Sequence, residues 1–312
     1  MPARVLMTAD AVGGVWTYAI TLARALAALH VRVDLATMGP RPSSAQRAEA
    51  QEVPGLSLHE SDFALEWMDD PWQDVDHAGR WLLRLERDVG PDLVHLNGYA
   101  HGTLPFRAPR VVAGHSCVLS WWHAVRGGEA PSRYRRYRET VREGLLAAAA
   151  VMAPTRAMAR ELTCHYGIRG VVVVPNGIDP RGFLPSPKLP LVLGAGRAWD
   201  PAKNLEALEP VARHLAWPVV LAGALEEPGM DRRAATFSHL HGLGMLDRSS
   251  LARWMGRAAV FVHPASYEPF GLAPLEAALC GCALVLGDIP SLREIWGDAA
   301  LFVDGRDRDD LV

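Results

Sequence analysis

Short runs of consecutive apolar residues recur along the whole chain, separated by stretches with helical periodicity. In the first half the runs are Val5–Thr8, Val31–Ala36, Leu93–Leu96, Val111–Gly114, Val151–Ala153 and Val171–Val174. In the second they are Leu191–Gly194, Val219–Ala222, Val260–His263, Ala283–Leu286 and Leu301–Val303. A strand that is apolar on both sides has to be covered on both sides. The intervening patterns at Thr17–Leu29, Gly79–Asp88, Arg133–Ala150, Leu205–Leu215 and Leu251–Arg257 supply the covering helices. Such alternation predicts an α/β fold of doubly wound parallel sheets. A length of 312 residues suggests about two domains of ordinary size. The Pro- and Gly-rich run from Asn176 to Pro187 marks their join, giving domains over 1–178 and 188–312. In open α/β sheets ligands bind beyond the carboxyl ends of the strands, so chemistry is sought in the loops there.

One such loop is Ser266-Tyr267-Glu268-Pro269-Phe270-Gly271-Leu272-Ala273-Pro274-Leu275-Glu276-Ala277, which follows the apolar run Ala258-Ala259-Val260-Phe261-Val262-His263. It holds two carboxylates, Glu268 and Glu276, around the turn Phe270-Gly271-Leu272. Pro274 suits the first turn of a following helix, where its missing N–H would have had no partner. The free N–H groups of a helix start, with a glycine allowing close approach, favour an anion. Carboxylates beside an anion site are wrong for the anion itself, so they should hold neutral hydroxyls. A nucleotide-sugar has both parts: a diphosphate flanked by a ribose and a hexose.

A second loop, Gly194-Ala195-Gly196-Arg197-Ala198-Trp199-Asp200-Pro201-Ala202-Lys203-Asn204, leaves another strand and enters a helix. Arg197 offers a planar fork to phosphate oxygens and Lys203 a mobile point charge. As a sugar–phosphate bond breaks, negative charge grows on the diphosphate, and fixed cations stabilise the transition state more than the ground state. The third glycine of a dinucleotide fingerprint is missing from this loop. At the N-terminus, Gly13 and Gly14 in Asp10-Ala11-Val12-Gly13-Gly14-Val15-Trp16 allow a tight turn and close backbone approach to a ligand. His115 ends the strand Arg110–Gly114, and His95 and Asn97 end its neighbour, where they could line an acceptor side.

Taken in order, Gly13-Gly14, His115, Arg197/Lys203 and the Glu-x7-Glu spacing of Glu268 and Glu276 around Phe-Gly-Leu resemble retaining GT-B glycosyltransferases, in particular glycosyltransferase family 4 (glycosyl transferases group 1). Val174-Pro175-Asn176-Gly177-Ile178-Asp179 is similar to that family's interdomain segment. The resemblance implies two Rossmann-like domains facing a cleft, an acceptor-side domain over 1–178 and a nucleotide-sugar domain over 188–312. It implies Glu276 as the ribose ligand and Glu268 as the sugar-side carboxylate. The amides of Phe270, Gly271 and Leu272 would meet sugar hydroxyls and phosphates, and Arg197 and Lys203 would grip the leaving diphosphate. It sets Gly13 and Gly14 over the donor phosphates and the acceptor, and His115 near the anomeric carbon. The expected reaction is transfer of a hexose from a UDP- or GDP-linked sugar to a hydroxyl acceptor (a glycan, lipid or small molecule), without cofactor or metal.

Three departures qualify this. Ala11 and Val12 precede Gly13-Gly14 where bacterial glycogen and starch synthases carry a Lys, which argues against an ADP-glucose-dependent glucan synthase. Ala283 stands where the family usually has Pro. The family continues past the strand matching Leu301-Phe302-Val303 into further helices that a chain ending at Asp310-Leu311-Val312 is expected to lack. A sugar-nucleotide-binding protein without transferase activity and a GT-B nucleotide-sugar epimerase therefore stand as alternatives.

Composition fits a globular enzyme, with 49% hydrophobic and 21% charged residues, and a net charge of −3 gives no electrostatic case for nucleic acid as a partner. No apolar run reaches the roughly 18 residues of a spanning helix, and no secretory leader is evident, so a cytoplasmic location is expected, with peripheral membrane contact open. Among the four cysteines, Cys280 and Cys282 read as packing and not as metal ligands. The Asp-x-Asp pairs Asp74/Asp76 and Asp307/Asp309 follow no buried strand and are read as no metal site. Trp121-Trp122 with Arg126, and Arg133 to Arg138, form an aromatic and basic patch, more simply a helix face than a sugar or headgroup site. Ser291 to Glu294 reads as a capping box.

Overall fold

The computed structural model describes residues 2–224 and 238–311. The chain divides into two compact units, Met1–Ser120 with Glu129–Gly177, and Trp121–Gly128 with Ile178–Val312. In the first, strands β1 (Arg4–Asp10), β2 (Arg32–Met38), β3 (Leu56–Glu60), β4 (Leu93–Leu96), β5 (Arg110–Ala113), β6 (Ala150–Ala153) and β7 (Val172–Val173) form one sheet in the order β3-β2-β1-β4-β5-β6-β7. In the second, β8 (Leu189–Ala195), β9 (Val219–Ala222), β10 (Leu240–Gly244), β11 (Ala258–His263), β12 (Ala283–Gly287) and β13 (Leu301–Val303) lie in the order β10-β9-β8-β11-β12-β13. Every neighbouring pair is parallel.

The helices are α1 (Gly14–Ala27), α2 (Ser44–Gln51), α3 (Trp72–Val89), α4 (Val118–Arg126), α5 (Arg135–Ala147), α6 (Arg156–Tyr166), α7 (Glu209–Ala212), α8 (Arg248–Arg257), α9 (Leu272–Leu279), α10 (Pro290–Trp296) and α11 (Arg308–Leu311). None among the described residues is long and apolar enough to cross a membrane.

Successive side chains of a strand point to opposite faces, and here both faces meet core. On β1, Leu6 belongs to one apolar cluster while Val5, Met7 and Ala9 belong to another. In the second unit, Leu191, Leu193 and Ala195 of β8 enter one cluster and Val192 packs on the other. On β11, Phe261 and Val262 divide in the same way. This double covering is what made the apolar runs readable.

The strands that the apolar runs did not reveal, β3 and β10, lie at sheet edges. An edge strand is covered less completely and needs no unbroken apolar run. Leu56-Ser57-Leu58-His59-Glu60 alternates instead, and no residue of it is fully buried. The expected helix Leu205–Leu215 is broken into a 3-10 turn at Leu205–Leu208 and the short α7, which begins with Glu209-Pro210. Pro210 has no N–H to continue the first segment. The capping box expected at Ser291 is absent: α10 starts one residue earlier, on Pro290, and the Ser291 hydroxyl donates to the carbonyl of Glu268. Cys280 and Cys282 are buried thiols, Cys282 donating to the Met255 carbonyl at 3.0 Å.

One buried charge organises the first sheet. Asp34 on β2, 3% exposed, accepts from Arg4 Nε at 2.7 Å and pairs with His59 Nε2 at 2.9 Å. Burial opposes its charge, but the bonds from His59 and Arg4 outweigh this and hold the carboxyl below its ordinary pKa. A depressed carboxyl stabilises the fold above its unfolded pKa and loses that contribution as pH falls through the folded one. Asp34→Ala should therefore lower stability by about 1–3 kcal/mol at pH 7 in urea denaturation, with the deficit shrinking in acid.

Candidate active site

β11 ends at His263, and the chain turns through Glu268 to Gly271, the residue that caps α9. Gly271 is left-handed, with φ 94°, and a Cβ there would come within 3.1 Å of Leu292. The turn folds the Glu268 carboxylate inward. Its Oε1 accepts the Gly271 N–H at 3.1 Å, and its Oε2 accepts Lys203 Nζ at 2.6 Å. His263 Nε2 lies 3.2 Å from the same Oε2. Burial works against a charge on Glu268, but the Lys203 ammonium and the His263 bond prevail and keep it ionised well below the usual carboxylate range. An ionised carboxylate only accepts, so His263 donates from Nε2. Its buried Nδ1 has no hydrogen-bond partner among the described residues, and burial lowers the ring's pKa.

The loop after β8 supplies the cations. Asp200, 6% exposed, accepts Arg197 Nη2 at 2.8 Å and the Ala202 N–H at 3.0 Å. The Arg197 guanidinium also lies 5.3 Å from the Trp199 ring centroid. Asn204, in a left-handed conformation with φ 53°, donates from Nδ2 to the carbonyls of Pro264 at 3.1 Å and Gly305 at 2.8 Å. It thereby ties together the loops leaving β8, β11 and β13. The N–H groups of Ser266 and Tyr267 both donate to the Ala202 carbonyl, at 3.0 and 3.3 Å.

Glu276 sits in the second turn of α9, half-buried, and its carboxyl accepts no hydrogen bond among the described residues. Burial pushes it up to about 7, with Arg248 partly opposing. Phe270 is buried and Leu272 half-buried, so what they offer a ligand is backbone. The Gly271 amide, expected to meet a ligand, is already donated to Glu268.

In the first unit, Gly13 and Gly14 are exposed at the carboxyl end of β1, beside a turn in which Asp10 Oδ1 accepts the Val12 N–H at 2.9 Å. His115 follows β5 and bonds through Nε2 to Asn97 Oδ1 at 2.8 Å. His95 reaches the same oxygen at 3.2 Å and Tyr18 Oη at 3.3 Å. Burial lowers both rings, His115 to about 3 and His95 to about 4, so both are neutral near pH 7. Tyr18, His263, Asp200 and Asn204 escaped the sequence reading. Each of these four occupies a position that only the folded loops and strands define.

Of the expected aromatic and basic patch, Trp121–Gly128 falls in the second compact unit and Arg133–Arg138 in the first. Arg136 lies over the Trp72 ring at 4.5 Å. Among the described residues, no group of three or more His, Cys, Asp or Glu could hold a metal ion.

Comparison with known proteins fits this geometry. The family model described as Glycosyltransferase Family 4 matches residues 12–181, and that described as Glycosyl transferases group 1 matches residues 190–312. The chain is 29% identical to a D-inositol 3-phosphate glycosyltransferase of Xylanimonas cellulosilytica, over 96% of this chain and 81% of that protein. It is 30% identical to a phosphatidyl-myo-inositol mannosyltransferase of Mycolicibacterium smegmatis over 45% of this chain and 41% of that one. Similar solved structures include sucrose-phosphate synthase from Thermosynechococcus elongatus (TM-score 0.80, 18% identity, 99% of this chain and 87% of that). Another is Anabaena HepE in complex with UDP and glucose (TM-score 0.72, 16% identity, 100% and 88%). The fold and these relatives define a glycosyltransferase with the GT-B fold. The chain belongs to glycosyltransferase family 4.

The raised Glu276 carboxyl has a measurable signature. Its contribution to stability is full below its ordinary value of 4.5 and is lost as pH rises towards 7. Glu276→Gln should unfold at a higher temperature than wild type at pH 8, and the difference should shrink as pH falls and close below the ordinary value of 4.5 in calorimetric scans.

Proposed function

We propose that the protein is a retaining glycosyltransferase that moves a hexose from a UDP- or GDP-linked sugar to a hydroxyl acceptor without a metal ion. The observation that carries this reading is the buried junction of Lys203, Glu268 and His263 beside Arg197, with Glu276 one helix turn beyond Leu272. Lys203 has three N–H donors, of which Glu268 takes one, leaving two for phosphate oxygens. The Glu268 carboxylate has about four acceptor sites, and Gly271, Lys203 and His263 fill three. One remains for a sugar hydroxyl. Glu276 holds the ribose hydroxyls.

As the glycosidic bond to phosphate breaks, Lys203 and Arg197 meet the charge developing on the diphosphate, and the acceptor hydroxyl attacks from the same face. Their fixed positive charges take the part a cation would play. The first unit serves the acceptor. Free thiols at all four cysteines support a cytoplasmic setting.

Nucleotide release from UDP- and GDP-sugars, measured with an acceptor panel, tests the reading. Lys203→Ala should lower kcat by on the order of 100–1,000-fold, the scale of removing one electrostatic donor. Glu268→Ala should fall as far, since it holds Lys203. Equal turnover in wild type and both variants would overturn the assignment, and tight nucleotide-sugar binding without turnover would make this a binding protein. Dialysis against a chelator should leave the rate unchanged.

A further inference from the structure

Asn97 lies just past the end of β4, and its orientation is fixed twice over. Its backbone N–H donates to Thr8 Oγ1 at 2.9 Å, and its Nδ2 donates to the Thr8 carbonyl at 2.7 Å. A carbonyl oxygen only accepts, so the amide must face Thr8 with its NH2 and turn Oδ1 the other way. On that side it meets Nε2 of His115 at 2.8 Å and Nε2 of His95 at 3.2 Å. Oδ1 also only accepts, so both Nε2 atoms carry the proton. In a neutral imidazole this leaves Nδ1 as a lone pair.

Tyr18 completes the arrangement. The His95 Nε2–H is shared with Tyr18 Oη at 3.3 Å, where the phenol accepts and keeps its own proton for another partner. The His115 and Tyr18 rings meet edge to face, with centroids 4.5 Å apart at 65°. Both line a cavity of about 10 Å³ with Gly114, Pro154 and Asn176, room for about one water-sized group. His115 Nδ1 makes no hydrogen bond among the described residues. A lone pair and a phenolic proton on one such cavity match an alcohol, whose oxygen both donates and accepts.

We propose that Asn97 is a positioning residue: it locks His115 as the Nε2–H tautomer, so that Nδ1, together with the Tyr18 hydroxyl, receives one alcohol group of a substrate. The lock is a property of the first unit by itself. That the alcohol belongs to a sugar donor or a hydroxyl acceptor rests on the transferase reading. His115 is thereby barred from giving a proton through Nδ1 and serves as an acceptor.

The test is long-range 1H–15N correlation on protein labelled at histidine, for wild type, Asn97→Ala and Asn97→Asp. Wild type should show His115 and His95 protonated at Nε2 between pH 6 and 8. Asn97→Ala should shift His115 towards a mixture of tautomers, while Asn97→Asp, which loses the bond to Thr8 but still presents an acceptor oxygen to the rings, should keep Nε2 of His115 protonated. A His115 protonated at Nδ1 in wild type, or a pattern unchanged in Asn97→Ala, would overturn the proposal. If Asn97→Ala does not fold, wild type and Asn97→Asp still decide it, since an unprotonated Nε2 on His115 in either is fatal. In turnover assays Asn97→Ala should lower kcat on the order of 10–100-fold. Nucleotide affinity should be unchanged, and KM should rise for the donor sugar if the alcohol is the donor's, or for the acceptor if it is the acceptor's. Absence of turnover in wild type would defeat the transferase reading and leave the ring measurement to decide the tautomer lock.

Discussion

A strand buried on both faces has no place for its own polar chemistry. That constraint governs each unit of this protein. β1 and β8 send alternate residues into separate apolar clusters, so nothing ionic survives along their central stretches. Parallel pairing then requires the chain to cross back before each next strand, leaving the loops at the carboxyl ends as the region free to vary. Apart from His263, the last residue of β11, every residue of the candidate site in the second unit lies in such a loop or in the first turns of the helix that follows it. Asp34 shows the exception and its terms: a charge within the sheet layer survives because Arg4 and His59 both meet it.

In those loops the charges are arranged as a graded set. Glu268 is enclosed and held ionised by Lys203 and His263, whereas Glu276, eight residues on, lacks such a partner and has its proton affinity raised. Two carboxyl groups on one short segment thus differ in proton affinity because one faces an ammonium, while burial of the other is only partly opposed by Arg248. Arg197 is held differently from Lys203. Its guanidinium rests on Trp199 and pairs with Asp200, so its fork is oriented while 40% of its side chain stays in solvent.

The fold was legible wherever burial was two-sided. Leu93–Leu96 and Val219–Ala222 read at their observed limits, since apolar runs and strand ends coincide there. β3 escaped because an edge strand alternates, and the helix after Asn204 was overextended because the break at Pro210 was passed over. At the candidate site, Glu268, Glu276, Arg197 and Lys203 stand out in the sequence by spacing and charge type. The ion pair of Lys203 with Glu268 does not, since 65 residues separate them and only sheet order brings β8 beside β11. His263 read as the end of an apolar run, and Ser291 as a cap; each instead holds Glu268, one through its ring and the other through its hydroxyl. Residues that act by supporting others leave no pattern of their own in sequence.

Asn204 has a consequence for how a ligand is met. One side-chain amide nitrogen bridges the carbonyls of Pro264 and Gly305, and a Cβ on Gly305 would strike both Pro264 O at 2.5 Å and that nitrogen at 2.7 Å. Three loops from three strands are therefore one mechanical piece. A ligand settling on any of them encounters a surface ordered at folding, so little conformational entropy is left to lose on contact. The same linkage makes the site intolerant of piecemeal change: lengthening the loop after β13, far from either carboxylate in sequence, would be felt at Pro264 and so at the start of the segment that carries Glu268.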